Sequence, residues 1–295
     1  MRFLRRFEAH DSYVLGLKFA RDGRRLFSCG MDNVVKVWST DSWTPVRTFT
    51  GHTKSVNCFA LTPDGATLVT GSSDNTVRTW NTASGEPKLV LQDRKRVVSS
   101  LSVSLDGAWI AAGSYKGRVA VWTIDGEPLA AFPASKHNLS ATLLSPTDRS
   151  ILATAGLGSA IEIWSLPSGD HLATLEVNAD AVMRLVYTPD GQHLLALTYE
   201  GALHAWTANQ WRPIGESIPT TPGARAFSLD APGERLAVLS EGHIQIWSYP
   251  DWALLVEQRV QAKVLNSAAF APAGHLLAVG GADRTVRLFD LTSDA

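Results

Sequence analysis

Apolar and polar residues alternate along this chain in short runs, and turn-forming residues separate the runs. Between residues 55 and 92 the pattern is complete: "SVNCFALT", the turn "PDG", "ATLVTGS", a tight turn at Asp74 and Asn75, "TVRTW", the loop "NTASGEP", then "KLVLQ". A period of two, enrichment in β-branched residues, and Gly, Asn, Asp and Pro between runs predict four short antiparallel strands, a to d. No stretch carries a helical start-and-stop pattern, so the chain reads as all-β.

The four-strand unit repeats. Trp38, Trp80, Trp122, Trp164, Trp206, Trp247 and Phe289 each end a strand c, at spacings of 42, 42, 42, 42, 41 and 42 residues. Seven such units fill residues 1–295 and predict a single domain of seven repeats. The a–b turn recurs as "RDG" at Arg21, "PDG" at Pro63, "LDG" at Leu105, "PTD" at Pro146 and "PDG" at Pro189, and degrades to "APG" at Ala231 and "PAG" at Pro272. Proline pre-sets such a turn and glycine supplies positive φ, so these are turns rather than phosphate loops.

A period near 42, a Gly-His ahead of strand a (Gly51-His52, with Ala9-His10 in the first unit), an Asp in the b–c turn and a Trp closing strand c together resemble the WD-repeat family. The resemblance covers the whole chain. It implies a seven-bladed β-propeller of four-stranded antiparallel blades around a channel. The register of the ends adds a closure: "RFLRRF" stands before Ala9-His10 where "PVRTFT" stands before Gly51-His52, and the chain runs only a few residues past Phe289. Arg2 to Phe7 is expected to pair with the last blade as its outermost strand.

The resemblance also implies a buried structural network in each intact blade. Its members would be His10, Ser28, Asp32 and Trp38 in the first blade and His52, Thr70, Asp74 and Trp80 in the second. Buried indole N–H, hydroxyl and imidazole groups each need a partner, and a carboxylate orients the imidazole. A His, a Ser and an Asp also make up a hydrolase triad, but this set recurs in two blades and no oxyanion hole accompanies it. Elsewhere the Asp position holds Lys116, Gly158, Glu200 and Glu241, the strand-b position holds Ala112, Thr154, Ala196 and Ala237, and the His is absent. The Trp residues of those blades are expected to be packing residues. Asp283 has no His and is expected to hold its own turn through backbone N–H groups.

Composition narrows the function classes. A net charge of −1 gives no global attraction to nucleic acid or to an anionic membrane, and "RFLRRF" and "DRKR" are too short to change that. Cys29 and Cys58 sit among apolar strand residues and read as buried thiols of a reducing compartment. With no signal-like apolar run, the chain is expected in the cytoplasm. His171, His193, His204, His243 and His275 fall in separate units without metal-ligand spacing, so neither metal nor cofactor is expected. "GLGSA" at Gly156 precedes a strand rather than a helix and reads as a b–c turn. Trp43, Trp211 and Trp252 follow the strand-c aromatic by five residues and are expected to pack over the blade edge.

Family members commonly bind partners on the channel rim made by the d–a and b–c loops. Carried over residue by residue, that rim holds Tyr13, Leu15, Met31, Asn57, Ser73, Tyr115, Leu157, Met183, Tyr199 and Arg225. Tyr, Met and Arg enrichment without Lys, Asp or Glu resembles an interface core. The expectation is therefore a monomeric, non-catalytic scaffold that binds a protein or peptide partner on this rim, with no nucleic acid and no membrane. Two other readings stay open: a sensor module of a larger protein, and a small-ligand or enzymatic propeller that uses the channel.

Overall fold

A computed structural model describes residues 1–262 and 264–292. Among these residues 28 strands form seven four-stranded antiparallel sheets. Six sheets take four consecutive strands each, because a–b, b–c and c–d are hairpins joined by the short turns read above. In blade two, for example, the strands are Val56–Leu61, Thr67–Ser72, Val77–Asn81 and Pro87–Leu91. The outer strand of blade five is reduced to Ile218–Pro219, and proline is tolerated there because the position is a sheet edge.

The seventh sheet closes the ring. The strand Arg2–Glu8 pairs antiparallel with Thr285–Asp290, with Arg2 opposite Asp290, Phe3 opposite Phe289 and Glu8 opposite Thr285. Arg2 donates to the Asp290 carboxylate at 2.9 Å, and the Phe3 and Phe289 rings meet edge to face at 5.8 Å. Phe7 continues the contact into the next blade, 4.8 Å from the Trp38 ring.

The core lies between adjacent sheets rather than at the centre of the ring. Phe27, Val35 and Val37 of blade one pack with Val56, Leu68 and Trp80 of blade two, and similar apolar layers fill the other interfaces. The central blade face is also stitched by polar groups of strand a. Asn57 Nδ2 donates to the Val98 carbonyl (2.7 Å), Asn266 Nδ2 to the Val14 carbonyl (3.0 Å), and Ser140 Oγ to the Val182 carbonyl. Each bond runs from one blade to the next, which pins the blades in register around the channel.

Trp43, Trp211 and Trp252 hold φ values of 58°, 57° and 57°, where Gly85 and Gly169 stand at 87° and 76° in their repeats. A left-handed conformation costs a bulky residue on the order of 1–3 kcal/mol. Packing offsets it: Trp252 lies 5.0 Å from the Tyr249 ring, and Trp43 packs beside Phe7.

Candidate functional site

The rim is built by one repeated hydrogen bond. The residue just before the Asp position of the b–c turn donates its N–H to the carbonyl of the residue that precedes strand a. Met31 donates to Tyr13 (3.0 Å), Ser73 to Ser55 (3.0 Å), Tyr115 to Val97 (3.0 Å), Leu157 to Asn138 (3.1 Å), Tyr199 to Ala181 (3.0 Å) and Ala282 to Val264 (2.9 Å). Two sets of positions far apart in sequence thus sit side by side on one face. In blades four and five the join is tighter still, because Gly158 donates to the Asp180 carbonyl (2.9 Å) and Leu157 bridges to Ala181. Leu157 and Tyr199 therefore flank the same residue.

The structure divides the rim residues into two groups. Tyr13 (48% exposed), Met31 (44%), Tyr115 (48%), Leu157 (53%) and Tyr199 (48%) stand in solvent. Among the described residues the other exposed large apolar side chains lie on the outer strands, apart from Leu105 in an a–b turn. Leu15, Asn57, Ser73, Met183 and Arg225 are half-buried at the channel mouth. Asn57 and Ser73 are bonded to each other at 3.0 Å, and Asn57 also holds blade three, so their polar groups serve the frame. Arg225 differs: its Nε is buried with no hydrogen-bond partner. An unpaired buried guanidinium N–H is costly, which leaves this group ready for an acceptor.

Charge around the rim is segregated, a feature that single-repeat reading missed. Lys54, Arg94, Lys95, Lys116 and Lys136 are all exposed on the d–a and b–c loops of blades two to four. The acids among them are engaged, Asp93 with Arg118 and Asp74 with His52. Across the channel, Asp180, Glu200 and Glu241 are exposed on blades five and six.

Behind this surface the first two blades hold the buried network. Ser28 Oγ accepts the Trp38 indole N–H (2.9 Å) and donates to His10 Nε2 (2.8 Å); His10 Nδ1–H donates to Asp32 (2.8 Å). Asp32 also accepts the backbone N–H of Asp11 (3.0 Å). In blade two the same path runs through Trp80 and Thr70 (2.9 Å), Thr70 and His52 (2.7 Å), and His52 and Asp74 (2.8 Å). Burial works against ionisation of Asp74, but hydrogen bonds from Thr76 and His52 outweigh it and hold the carboxyl at about 2. Burial lowers the His52 pKa against the pull of Asp74 and keeps the ring neutral. Ser28 and Thr70 are fully buried and their hydroxyls committed, so they are not placed to attack a substrate.

A family model described as "WD domain, G-beta repeat" matches residues 1–39, 43–81, 85–123 and 258–290, together just over half of the chain. The chain belongs to the WD40 family. It is similar to periodic tryptophan protein 2 of Arabidopsis thaliana, at 26% identity over 49% of this chain and 16% of the relative. It is also similar to ribosome biogenesis protein YTM1 of Chaetomium thermophilum, at 23% over 57% and 34%. DDB1- and CUL4-associated factor 13 of Dictyostelium discoideum gives 24% over 51% and 35%. The chain thus spans between about a sixth and a third of these relatives' lengths.

The remaining WD40 repeats replace the network in ways the sequence did not announce. Trp164 is more than a packing residue, since its indole donates to Thr154 Oγ1 at 2.9 Å with no His behind it. Trp247, by contrast, has a buried indole N–H with no partner, and Trp206 stacks on His204 at 5.7 Å. Glu200 accepts the Asp180 backbone N–H (3.0 Å), as Asp32 and Asp74 do for Asp11 and Thr53. In the last repeat Asp283 does more than hold its turn. Besides accepting from the Thr285 N–H (3.3 Å), it is ion-paired with the buried Arg287. Arg287 also donates to Thr285 Oγ1 (2.9 Å) and to the carbonyl of Gln261 (3.0 Å), the residue that stands in the His slot. A cation from strand c thereby replaces the missing imidazole.

Proposed function

We propose that this WD40 propeller is a non-catalytic platform that holds an acidic, apolar-containing segment of a protein partner across the rim of blades one to five. The observation that carries the reading is the placement of exposed apolar side chains: Tyr13, Met31, Tyr115, Leu157 and Tyr199 occupy one face and each leaves about half of its surface to solvent. Exposed apolar side chains gathered on one face mark interaction sites more often than singly scattered ones do. The basic arc from Lys54 to Lys136 favours acidic residues in the segment where it crosses blades two to four, and Arg225 offers a partner for a carboxylate. A polyanion such as nucleic acid would meet Asp180, Glu200 and Glu241 farther round, which favours a protein segment of mixed charge. A monomeric, cytoplasmic protein without membrane contact is part of the same proposal. The relatives' names, which include ribosome biogenesis and DDB1- and CUL4-associated proteins, agree with work in protein assemblies.

The test is affinity capture from cell extract with the wild-type chain beside Tyr13→Ala and Tyr199→Ala variants. Each exposed anchor should cost at least about 1 kcal/mol of binding to the captured partner, with an unchanged melting temperature. Equal binding by both variants would remove the rim assignment.

A further inference from the structure

The channel carries a second feature that the exposed rim anchors do not use. Strand a of blade five places Arg184, and strand a of blade one places Lys18, on one cavity of about 210 Å³ whose lining contains no Asp, Glu or His. Arg184 has one hydrogen-bond partner, the carbonyl of its neighbour Met183 at 3.4 Å, and Lys18 has none among the described residues. The thiols near Arg184 are not its counter-ions. Burial pushes Cys58 up to about 12 and Cys29 well above the ordinary thiol value, so both stay protonated. The cavity is lined from several blades, with Arg184 from blade five, Leu15 and Gly16 from blade one and Cys58 from blade two. Gly16 lets strand a of blade one pack directly on Cys29 and Phe59, since a side chain there would meet Cys29 Sγ at 2.9 Å and Phe59 at 3.2 Å.

Two cations therefore line one cavity that holds no carboxylate, although Lys18 also borders a second cavity that contains Asp22 and Asp64. Arg184 is half-buried and Lys18 is exposed at the cavity edge, and desolvation draws the pKa of each below its ordinary value. A charge in such a place is costly unless something pairs with it. Neutral donors complete the lining. Ser267 Oγ accepts the Leu17 N–H (2.9 Å) and leaves its own proton free; Ser100 and Thr142 are bonded to each other at 2.7 Å and leave one hydroxyl proton between them.

We propose that this channel is a binding site for a phosphate-class oxyanion, held by the Arg184 guanidinium with Lys18 supplying the second positive charge. A formal charge of +2 with no acid matches a phosphate group, which carries about −1.5 to −2 near neutral pH, better than a carboxylate. The phosphate belongs to a free small molecule or to a phosphorylated residue of a segment that enters the channel. The cavity shares Leu15 and Asn57 with the rim but none of the exposed anchors, so it stands apart from the rim reading.

The test is a thermal-shift and 31P NMR titration of the whole chain at constant ionic strength. The titrants are inorganic phosphate, glycerol phosphate, a capped phosphoserine tripeptide, and acetate as the carboxylate control. Phosphate should raise the melting temperature saturably, and Arg184→Met should shift the midpoint at least tenfold. Arg184→Met should also melt no lower than wild type in phosphate-free buffer, because it removes an unpaired charge. Lys18→Met, at a position open to water, should weaken the midpoint by a smaller factor and carries the test if Arg184→Met does not fold. A response to the small phosphates identifies a soluble ligand, and a response to the tripeptide alone identifies a phosphorylated segment. Tyr115→Ala should leave every midpoint unchanged, which separates this site from the rim. Equal titration by acetate, a flat phosphate response, or an unchanged midpoint in the folded channel variants would overturn the proposal.

Discussion

Trp164 donates its indole N–H to Thr154 Oγ1 at 2.9 Å in a blade that has neither the His nor the Asp of the full network. The bracket therefore comes in graded forms: four members around Trp80, two around Trp164 and one at Trp247, whose N–H is buried and unpaired. Trp→Phe at each position removes the donor and leaves a similar small void. Trp80→Phe and Trp164→Phe should cost about 1 kcal/mol more than Trp247→Phe, because only the first two lose a hydrogen bond. Urea midpoints of the three variants measure the difference, and equal losses would contradict it.

The charge pair of the last blade should behave asymmetrically. Asp283→Asn leaves Arg287 buried without its carboxylate and is expected to cost on the order of 3 kcal/mol. Arg287→Met should cost less, since the Asp283 side chain is 32% exposed and can turn to water. A double-mutant cycle by denaturant unfolding checks both values.

Acid should weaken the second blade in two steps. The folded His52 pKa lies below its ordinary 6.5, so below pH 6.5 the unfolded chain takes up more protons and stability falls with pH. Asp74 is held at about 2 against 3.8, so its contribution is complete above pH 4 and is lost as pH falls towards 2. Stability measured against pH should show both windows in the wild type. Asp74→Asn should lose less stability across the lower window than the wild type, the remainder coming from other depressed carboxylates such as Asp32, Asp283 and Asp290.

Closure depends on a strand that is distant in sequence from its partner. Deleting residues 1–8 exposes the edge of Thr285–Asp290 and removes Phe3 and Phe7 from their contacts. A large drop in melting temperature is expected, and an unchanged melt would rule out a stabilising latch.

The frame was legible in the sequence because it rests on period and turn chemistry. Strand alternation, the PDG-type turns and the 42-residue spacing are local signals, and the pairing of Arg2–Glu8 with the last blade followed from register alone. The substitutes were not legible, since each depends on what lies across a loop or a channel. Arg287 occupies the position of Arg78 in blade two, and the strand pattern does not say that it turns back to Asp283 in one blade and leaves Nε unpaired in the other. Arg184 reads as one polar residue among apolar ones until the ring brings blades one and two onto the same cavity. The basic and acidic halves of the rim likewise come from loops whose neighbours in space belong to other repeats.

The latch strand also decides how the ring would come apart under load. Because Arg2–Glu8 runs antiparallel to Thr285–Asp290, Arg2 and Asp290 lie at the same end of the pair. Tension applied at these two points would peel the rungs one after another, starting with the Arg2–Asp290 ion pair, instead of shearing all of them together. The hoop held by many simultaneous contacts would thus open to a pull like a zip, from its tab inward.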